Sequence, residues 1–297
     1  MNRFKLTFDD VFSNTTLVGA VGATTLVGHW LPLPGALIGM GAGMCLGTYV
    51  AMEDRLKKEA KKASNPFSPK PKPMLSLYDK NGLVFWTEDE IRMRRFFEEH
   101  FASGIRSTLK TLNPAFEFVQ VEASQLTPRE LIAPNYTAED IFVVADDLAL
   151  RPETTMGSYV YARELLNPHQ ARKTRLPLCV WQHGKSFRQE QDKTLANMRL
   201  KEFYQLEFQI IFSKTTANDY YPALVETVLN LVKKVVGDAY TEPSDRLPAY
   251  AEVTTDVIMA WNKMEVCSIS KRTDFDDHKV IEIAIGTDRC VYNYNNK

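Results

Sequence analysis

The chain has 297 residues, 44% apolar and 25% charged, enough for about two domains and a sizeable buried core. Lys plus Arg number 36 against 37 Asp plus Glu, and the net charge of -1 excludes a chain-wide basic field for non-specific nucleic-acid binding. Cys45, Cys179, Cys267 and Cys290 are scattered, without CxxC or a nearby His at zinc-finger spacing. That pattern argues against a disulfide framework or structural metal and for a reducing, cytoplasmic compartment.

From Asn14 to Met52 there is no Asp, Glu, Lys or Arg, and eight glycines fall between positions 19 and 47. The stretch exceeds the ~20 residues that cross a bilayer core, and small residues give membrane helices their close faces. Pro32 and Pro34 mark a turn inside it. Residues 1–52 therefore read as a Gly-rich hydrophobic helical hairpin associated with a membrane, or as one span at Leu31–Met52. A buried Gly-rich hairpin in water is the plainer alternative, against which glycine's poor helix propensity counts. Residues 53–74 carry Lys57, Lys58, Lys61 and Lys62 in their first half and end with Pro66, Pro69, Pro71 and Pro73, a stiff basic linker. Residues 75–297 then form a globular domain.

In that domain Thr87-Glu88-Asp89-Glu90 is a capping box, and Met93, Phe97, Phe101, Ile105 and Leu109 give the helix after it an apolar face. Pro114 ends it. Strands are expected at Phe116–Val121, Ile141–Val144, Leu178–Trp181, Phe187–Glu190, Glu202–Phe212, Val257–Trp261 and Met264–Ile269. A helix is expected over Tyr220–Val236, with Leu224, Val228, Leu231, Val232 and Val235 inward and Gly237 as its stop. Strands in runs with few helices between them predict an α+β domain on an antiparallel sheet, not a Rossmann fold. Neither GxGxxG nor GxxxxGK[ST] occurs.

Polar residues crowd into the expected strands. Period-two geometry puts Arg188 with Glu190 on one strand face, and Arg199, Lys201 and Phe203 on the next. Cations, a carboxylate and a ring on one side suit a purine nucleotide polyphosphate, though an exposed sheet with cross-strand ion pairs has the same composition. His183 and Trp181 read as packing or wall residues, and His278 as exposed in a turn.

Several segments, in chain order, resemble the signature motifs of the class II aminoacyl-tRNA synthetases, most closely the glycyl-tRNA synthetase group. Ser186-Phe187-Arg188-Gln189-Glu190 is similar to motif 2, F-R-x-E, and Arg199-Leu200-Lys201-Glu202-Phe203 to its returning strand. Leu150-Arg151-Pro152-Glu153-Thr154 with Gly157 resembles the L-R-P-E-T-x-x-G segment of the glycine enzymes. Glu265-Val266, then Arg272-Thr273-Asp274-Phe275-Asp276, resembles their E-V-x-x-x-x-x-R-x-D-x-D stretch. Val280–Arg289 resembles motif 3 with G-x-[DE]-R, and the helix from Thr87 with the strand from Phe116 sits where motif 1 belongs.

The resemblance covers about residues 75–297 and implies a six- or seven-stranded antiparallel sheet flanked by helices, a homodimer through motif 1, and ATP- and Mg²⁺-dependent activation of an amino-acid carboxylate. Carried over position by position, it implies that Arg188 and Arg289 are catalytic, Arg188 on the α-phosphate. Glu190 faces the adenine amino group, Phe203 stacks on the ring, and Arg199 and Arg289 hold the β- and γ-phosphates. Glu153, Glu207 and Glu282 surround the amino group of a small amino acid, glycine favoured, with Arg272 beside them; Glu265 is a metal or supporting carboxylate.

There are departures from the family pattern. Ser124 stands where motif 1 has proline, Ala284 where glycine enzymes have serine, and Thr155-Met156 where they have Ala-Gln. The segment between Asp276 and Glu282 lacks their insertion, and with eight residues after Arg289 no anticodon-binding domain is expected. The expected function is formation of an aminoacyl adenylate, with transfer to the acceptor end of a tRNA or to another acceptor. The alternative is a non-catalytic paralogue serving as an accessory subunit, as in the mitochondrial DNA polymerase.

Overall fold

A computed structural model of the protein describes residues 80–132, 136–167, 169, 175–189, 198–275 and 277–296. The apolar Asn14–Met52 stretch and the basic linker lie outside them; among the described residues no helix is long and apolar enough to cross a membrane.

Helix α1 (Glu88–Leu112) starts as its sequence dictates: Glu90 N–H donates to Thr87 Oγ1, and Thr87 N–H donates to Glu90 Oε2 at 2.7 Å. Acidic residues fill its first turn and Lys110 its last, both favourable to the helix dipole. Phe97, Phe101, Ile105 and Leu109 are wholly buried, each contributing up to about 1.5–3 kcal/mol by leaving water. Next come β1 (Glu117–Gln120), β2 (Leu126–Pro128), β3 (Leu148–Leu150), α2 (Thr155–Leu165), β4 (Leu178–Phe187) and β5 (Glu202–Ser213). The chain continues through α3 (Tyr221–Val235), β6 (Ala239–Pro243), β7 (Ala251–Met259), β8 (Glu265–Arg272), β9 (His278–Gly286) and α4 (Thr287–Asn295).

Seven strands form one sheet in the order β1-β4-β5-β9-β8-β7-β6, while β2 and β3 pair by themselves. Every neighbouring pair in the large sheet is antiparallel except β1 with β4, which is parallel, so the sheet is antiparallel-dominated instead of wholly antiparallel. Alternation divides its two faces. Leu206, Phe208, Ile210 and Phe212 of β5, with Ile281, Ile283 and Ile285 of β9, join α1, α3 and α4 in the main core. The other face carries Glu207, Gln209 and Glu282, and at one end α2 covers it through Ala162 packed with Leu178, Val180, Ile211 and Val280.

Several expected boundaries change. The separate strands at Leu178–Trp181 and Phe187–Glu190 are one continuous β4 ending at Phe187. Its ten residues all pair with β5, and that ladder carries the strand through the polar Gln182–Ser186 stretch. Ile141–Val144 is not a strand: only the Val143–Ala149 bridge forms there, and Val143 and Val144 are exposed. Trp261, expected to end a strand, lies in the β7–β8 turn, half exposed, with Lys263 at φ 60°.

Candidate functional site

The polar sheet face sets the rows of the site. Gln182, Glu207, Ala284, Ser268 and Asp256 oppose one another across β4, β5, β9, β8 and β7; two residues along, Gln209, Glu282 and Ser270 do the same. The N-terminal end of α2 is laid onto this face by Arg151. This buried guanidinium donates from Nε to Lys185 O at 2.8 Å and from Nη1 to Ala123 O at 2.9 Å. Gly184 admits it: a Cβ there would stand 2.3 Å from Arg151 Nη2. Gly157 likewise lets α2 approach Ala123, which an added Cβ would meet at 2.1 Å. Arg151 thus builds the site without entering it.

Glu153, Glu207, Glu282 and Arg272 come together here, all buried. Glu282 is ion-paired with Arg272, accepts from Gln209 Nε2 at 2.6 Å and from Tyr250 O–H at 3.2 Å. Arg272 also forms a bidentate pair with Asp274, at 2.7 and 3.0 Å, and its Cζ lies 4.0 Å from the Tyr250 ring centroid. Burial opposes the charge of Arg272, but Glu282 and Asp274 outweigh it and hold the guanidinium firmly protonated. Glu153 accepts from Tyr136 O–H at 2.6 Å and lies 3.7 Å from Arg188. Thr155 Oγ1 is 2.7 Å from Glu207. Burial raises the carboxyls of Glu153 and Glu207, the latter to about 8, with Glu282 and Glu153 adding to the shift at Glu207. Glu153 Oε1 and Gln209 Oε1 are buried without a hydrogen-bond partner. Excess carboxylate and orphaned acceptors in a dry cluster are what a small cationic group, such as an ammonium, satisfies.

The nucleotide-binding candidates are arranged otherwise than strand periodicity implied. Arg188 lies just past β4 and Arg199 and Lys201 before β5, so none of them projects from a strand. The ladder ends because Gln189 N–H turns to Asp140 O, at 2.9 Å, one step after Arg188 N–H reaches Lys201 O. Arg188 Nε donates to Pro152 O at 2.9 Å, and its Cζ lies 5.2 Å from the Phe203 ring centroid and 5.4 Å from that of Tyr136. Phe203 does project from β5, opposite Ser186. Arg199 is exposed, and Glu190 lies outside the described residues. Arg289, in the first turn of α4, donates to Glu265 O at 2.9 Å and lies 3.5 Å from the Glu265 carboxylate, pairing two candidates. Among the described residues no group of three or more His, Cys, Asp or Glu could hold a metal. The half-exposed Glu265 can supply one oxygen ligand to a Mg²⁺ that arrives on a triphosphate, so the donors fit that mode of binding and not a protein cage.

Trp181 and His183 are packing residues. Trp181 stacks on Phe208; His183 Nδ1 meets Glu98 at 2.8 Å and Nε2 meets Thr287 Oγ1 at 3.0 Å, tying α1 to β4 and α4. The hydrogen bond from His183 holds Glu98 below the usual carboxylate range. His278 is half-buried at the start of β9 instead of exposed. The sequence reading missed Tyr136, Tyr250 and Gln209. The two tyrosines sit in irregular segments without periodicity, whereas Gln209 was visible as a polar interruption of a strand.

Residues 136–280 match the family model described as the tRNA synthetase class II core domain (G, H, P, S and T). Over that stretch, just under half of the chain, the protein is similar to a class II aminoacyl-tRNA synthetase core. Among individual proteins, the glycine–tRNA ligase of Mycoplasma genitalium is 32% identical over 148 residues, covering 46% of this chain and 32% of that one. That of Mycoplasma capricolum is 31% identical over 147 residues, 45% of this chain and 31% of the relative. The matched region thus spans about a third of the length of these curated relatives. The solved structure of PylSc from Desulfitobacterium hafniense, a pyrrolysyl tRNA synthetase, shares the fold with a TM-score of 0.52 at 15% identity, over 88% of this chain and 79% of that one.

Proposed function

We propose that the protein activates a small amino acid, glycine favoured, with ATP and Mg²⁺, forming an aminoacyl adenylate for transfer to a tRNA acceptor end or another acceptor. What carries this reading is the convergence of Glu153, Glu207 and Glu282 with Arg272 on the polar face of a class II synthetase core. In the proposed step a substrate carboxylate oxygen attacks the α-phosphorus, the new O–P bond forms, and pyrophosphate leaves. Negative charge grows on the phosphoryl oxygens, and fixed guanidiniums aimed at it lower the barrier without a covalent nucleophile. Arg188, beside both Glu153 and Phe203, stands between the carboxylate cluster and the ring on which adenine would stack. Arg289 and Arg199 would hold the outer phosphates, and Mg²⁺ would add charge neutralisation there, with Glu265 as its protein ligand.

A homodimer belongs to the same reading. Its support is an exposed apolar groove in which Leu126, Leu131, Val160 and Tyr161 lie near the end of β1, an edge strand.

ATP–pyrophosphate exchange by the full-length chain with a panel of amino acids tests the reading. Exchange with glycine establishes class and substrate; exchange with another small amino acid keeps the class and replaces the substrate. No exchange with any amino acid, together with no thermal stabilisation by ATP, moves the protein to the non-catalytic accessory class.

A further inference from the structure

We propose that Thr155 is a positioning residue of this amino-acid site: its hydroxyl holds one proton in line between Glu207 and Glu282, and entry of the substrate ammonium drives that proton out. The inference rests on the amino-acid-activation reading for the identity of the incoming cation, but the stored proton is a property of the free protein.

Geometry is the first ground. Thr155 Oγ1 lies 2.7 Å from Glu207 Oε2 and 3.4 Å from Glu282 Oε2, buried between them. A hydroxyl has one hydrogen and can donate to only one carboxylate. With both carboxylates ionised, the other oxygen pair would meet lone pair to lone pair in a dry site. A proton on one carboxyl relieves that contact, and the donors already present favour Glu207 as its holder. Glu282 receives hydrogen bonds from Arg272, Gln209 and Tyr250, whereas Glu207 touches no cation. The order that avoids facing lone pairs among these three groups runs from the Glu207 carboxyl to Thr155 Oγ1, and from the Thr155 hydroxyl to Glu282.

Charge balance is the second ground. Glu207 on β5 faces Glu153 from the segment before α2 and Glu282 from β9, with Arg272 on β8 and Tyr136 and Tyr250 from the flanking loops beyond them. Arg272 is shared by Glu282 and Asp274, Arg188 leans on Glu153, and Arg151 spends its donors on backbone carbonyls. Three buried glutamates plus Asp274 thus outnumber the guanidiniums in contact with them, and burial accordingly pushes Glu207 up to about 8. An ammonium group brings one positive charge and three donors. Its arrival lets Glu207 ionise, so that Glu207–COOH and R–NH₃⁺ become a carboxylate–ammonium pair with one proton passed to solvent.

The test uses the full-length protein labelled with ¹³C at glutamate Cδ, as wild type, Glu207→Gln, Thr155→Val and Thr155→Ser. The free wild type should show one glutamate carboxyl titrating near pH 8 that is missing from Glu207→Gln. Glycine added at pH 7 should shift that resonance to the carboxylate position, with close to one proton released in calorimetry compared across two buffers. Thr155→Val should raise the KM for glycine in pyrophosphate exchange about tenfold, change kcat far less, and flatten the pH profile of KM, while Thr155→Ser restores the wild-type profile. Glycine-dependent exchange by a wild type whose glutamates are all ionised at pH 7 overturns this inference alone. A titrating carboxyl with no exchange for any amino acid overturns the reading of function, and the ammonium-exchange step with it.

Discussion

Replacing Gly184 by alanine asks whether one close approach holds the site together. The new methyl carbon would stand 2.3 Å from Arg151 Nη2, well inside van der Waals contact. The end of an arginine side chain can usually swing away, but this one is held by Nε to Lys185 O and by Nη1 to Ala123 O, with Gln182 Oε1 at 3.4 Å. Keeping those bonds forces strain of about 1–3 kcal/mol. Breaking them leaves carbonyls and a buried guanidinium unsatisfied, at about 1.5–3 kcal/mol for each charged hydrogen bond lost. Gly184→Ala should therefore cost about 2–5 kcal/mol, read as a lowered urea midpoint by tryptophan fluorescence. A double-mutant cycle isolates the cause. In the Arg151→Ala background the same alanine should cost less than about 1 kcal/mol, giving a coupling of about 1–5 kcal/mol. An equal cost in both backgrounds would refute the role assigned to Arg151, and a cost below about 0.5 kcal/mol in the wild-type background would refute the close approach itself.

Arg188→Ala should abolish pyrophosphate exchange in a protein that still folds, its urea midpoint lowered by loss of the Pro152 hydrogen bond and of the cation beside buried Glu153; retained exchange removes Arg188 from the proposed chemistry. Glu207→Gln should change stability with pH. Glu207 has a folded pKa of about 8 against 4.5 unfolded, so its contribution is full below 4.5 and is lost as pH rises through 8. The neutral glutamine escapes that loss, and from pH 6 to 8 the variant should gain on wild type by on the order of 2 kcal/mol. A stability difference that is constant with pH denies the raised carboxyl. Tyr161→Asp with Leu126→Glu should convert the proposed dimer to monomer in light scattering; a variant and wild type of equal mass would remove that face from consideration.

How far the sequence carried the fold depends on the range of the forces involved. Helix α1 was legible to its ends because a cap, a four-residue apolar repeat and a proline all lie within a few residues of what they control. The strand at β5 was legible for the same reason, but only the folded sheet separated the buried Leu206, Phe208 and Ile210 from the site-facing Glu207 and Gln209. Local pattern misled where it was weak. The polar run Gln182–Ser186 looked like a break, yet β5 supplies hydrogen bonds along its whole length. The apolar Ile141–Val144 looked like a strand, yet its pairing is limited to a single bridge and the burial of Ile141 against Ile132 and Ala149 anchors it instead.

The candidate site divides along the same line. By itself the amino-acid sequence determined the class of sheet, the main helices and, through ordered motifs, which glutamates and arginines to watch. Only the tertiary structure put Arg188 beyond the end of its strand, set Arg289 against Glu265, and brought Tyr136, Thr155 and Tyr250 to the carboxylates. Periodicity acts between near neighbours, where the backbone alone sets the geometry. Contacts among strands distant in the chain, and the displaced protonation that follows when carboxylates are buried together, exist only once the sheet has closed around them.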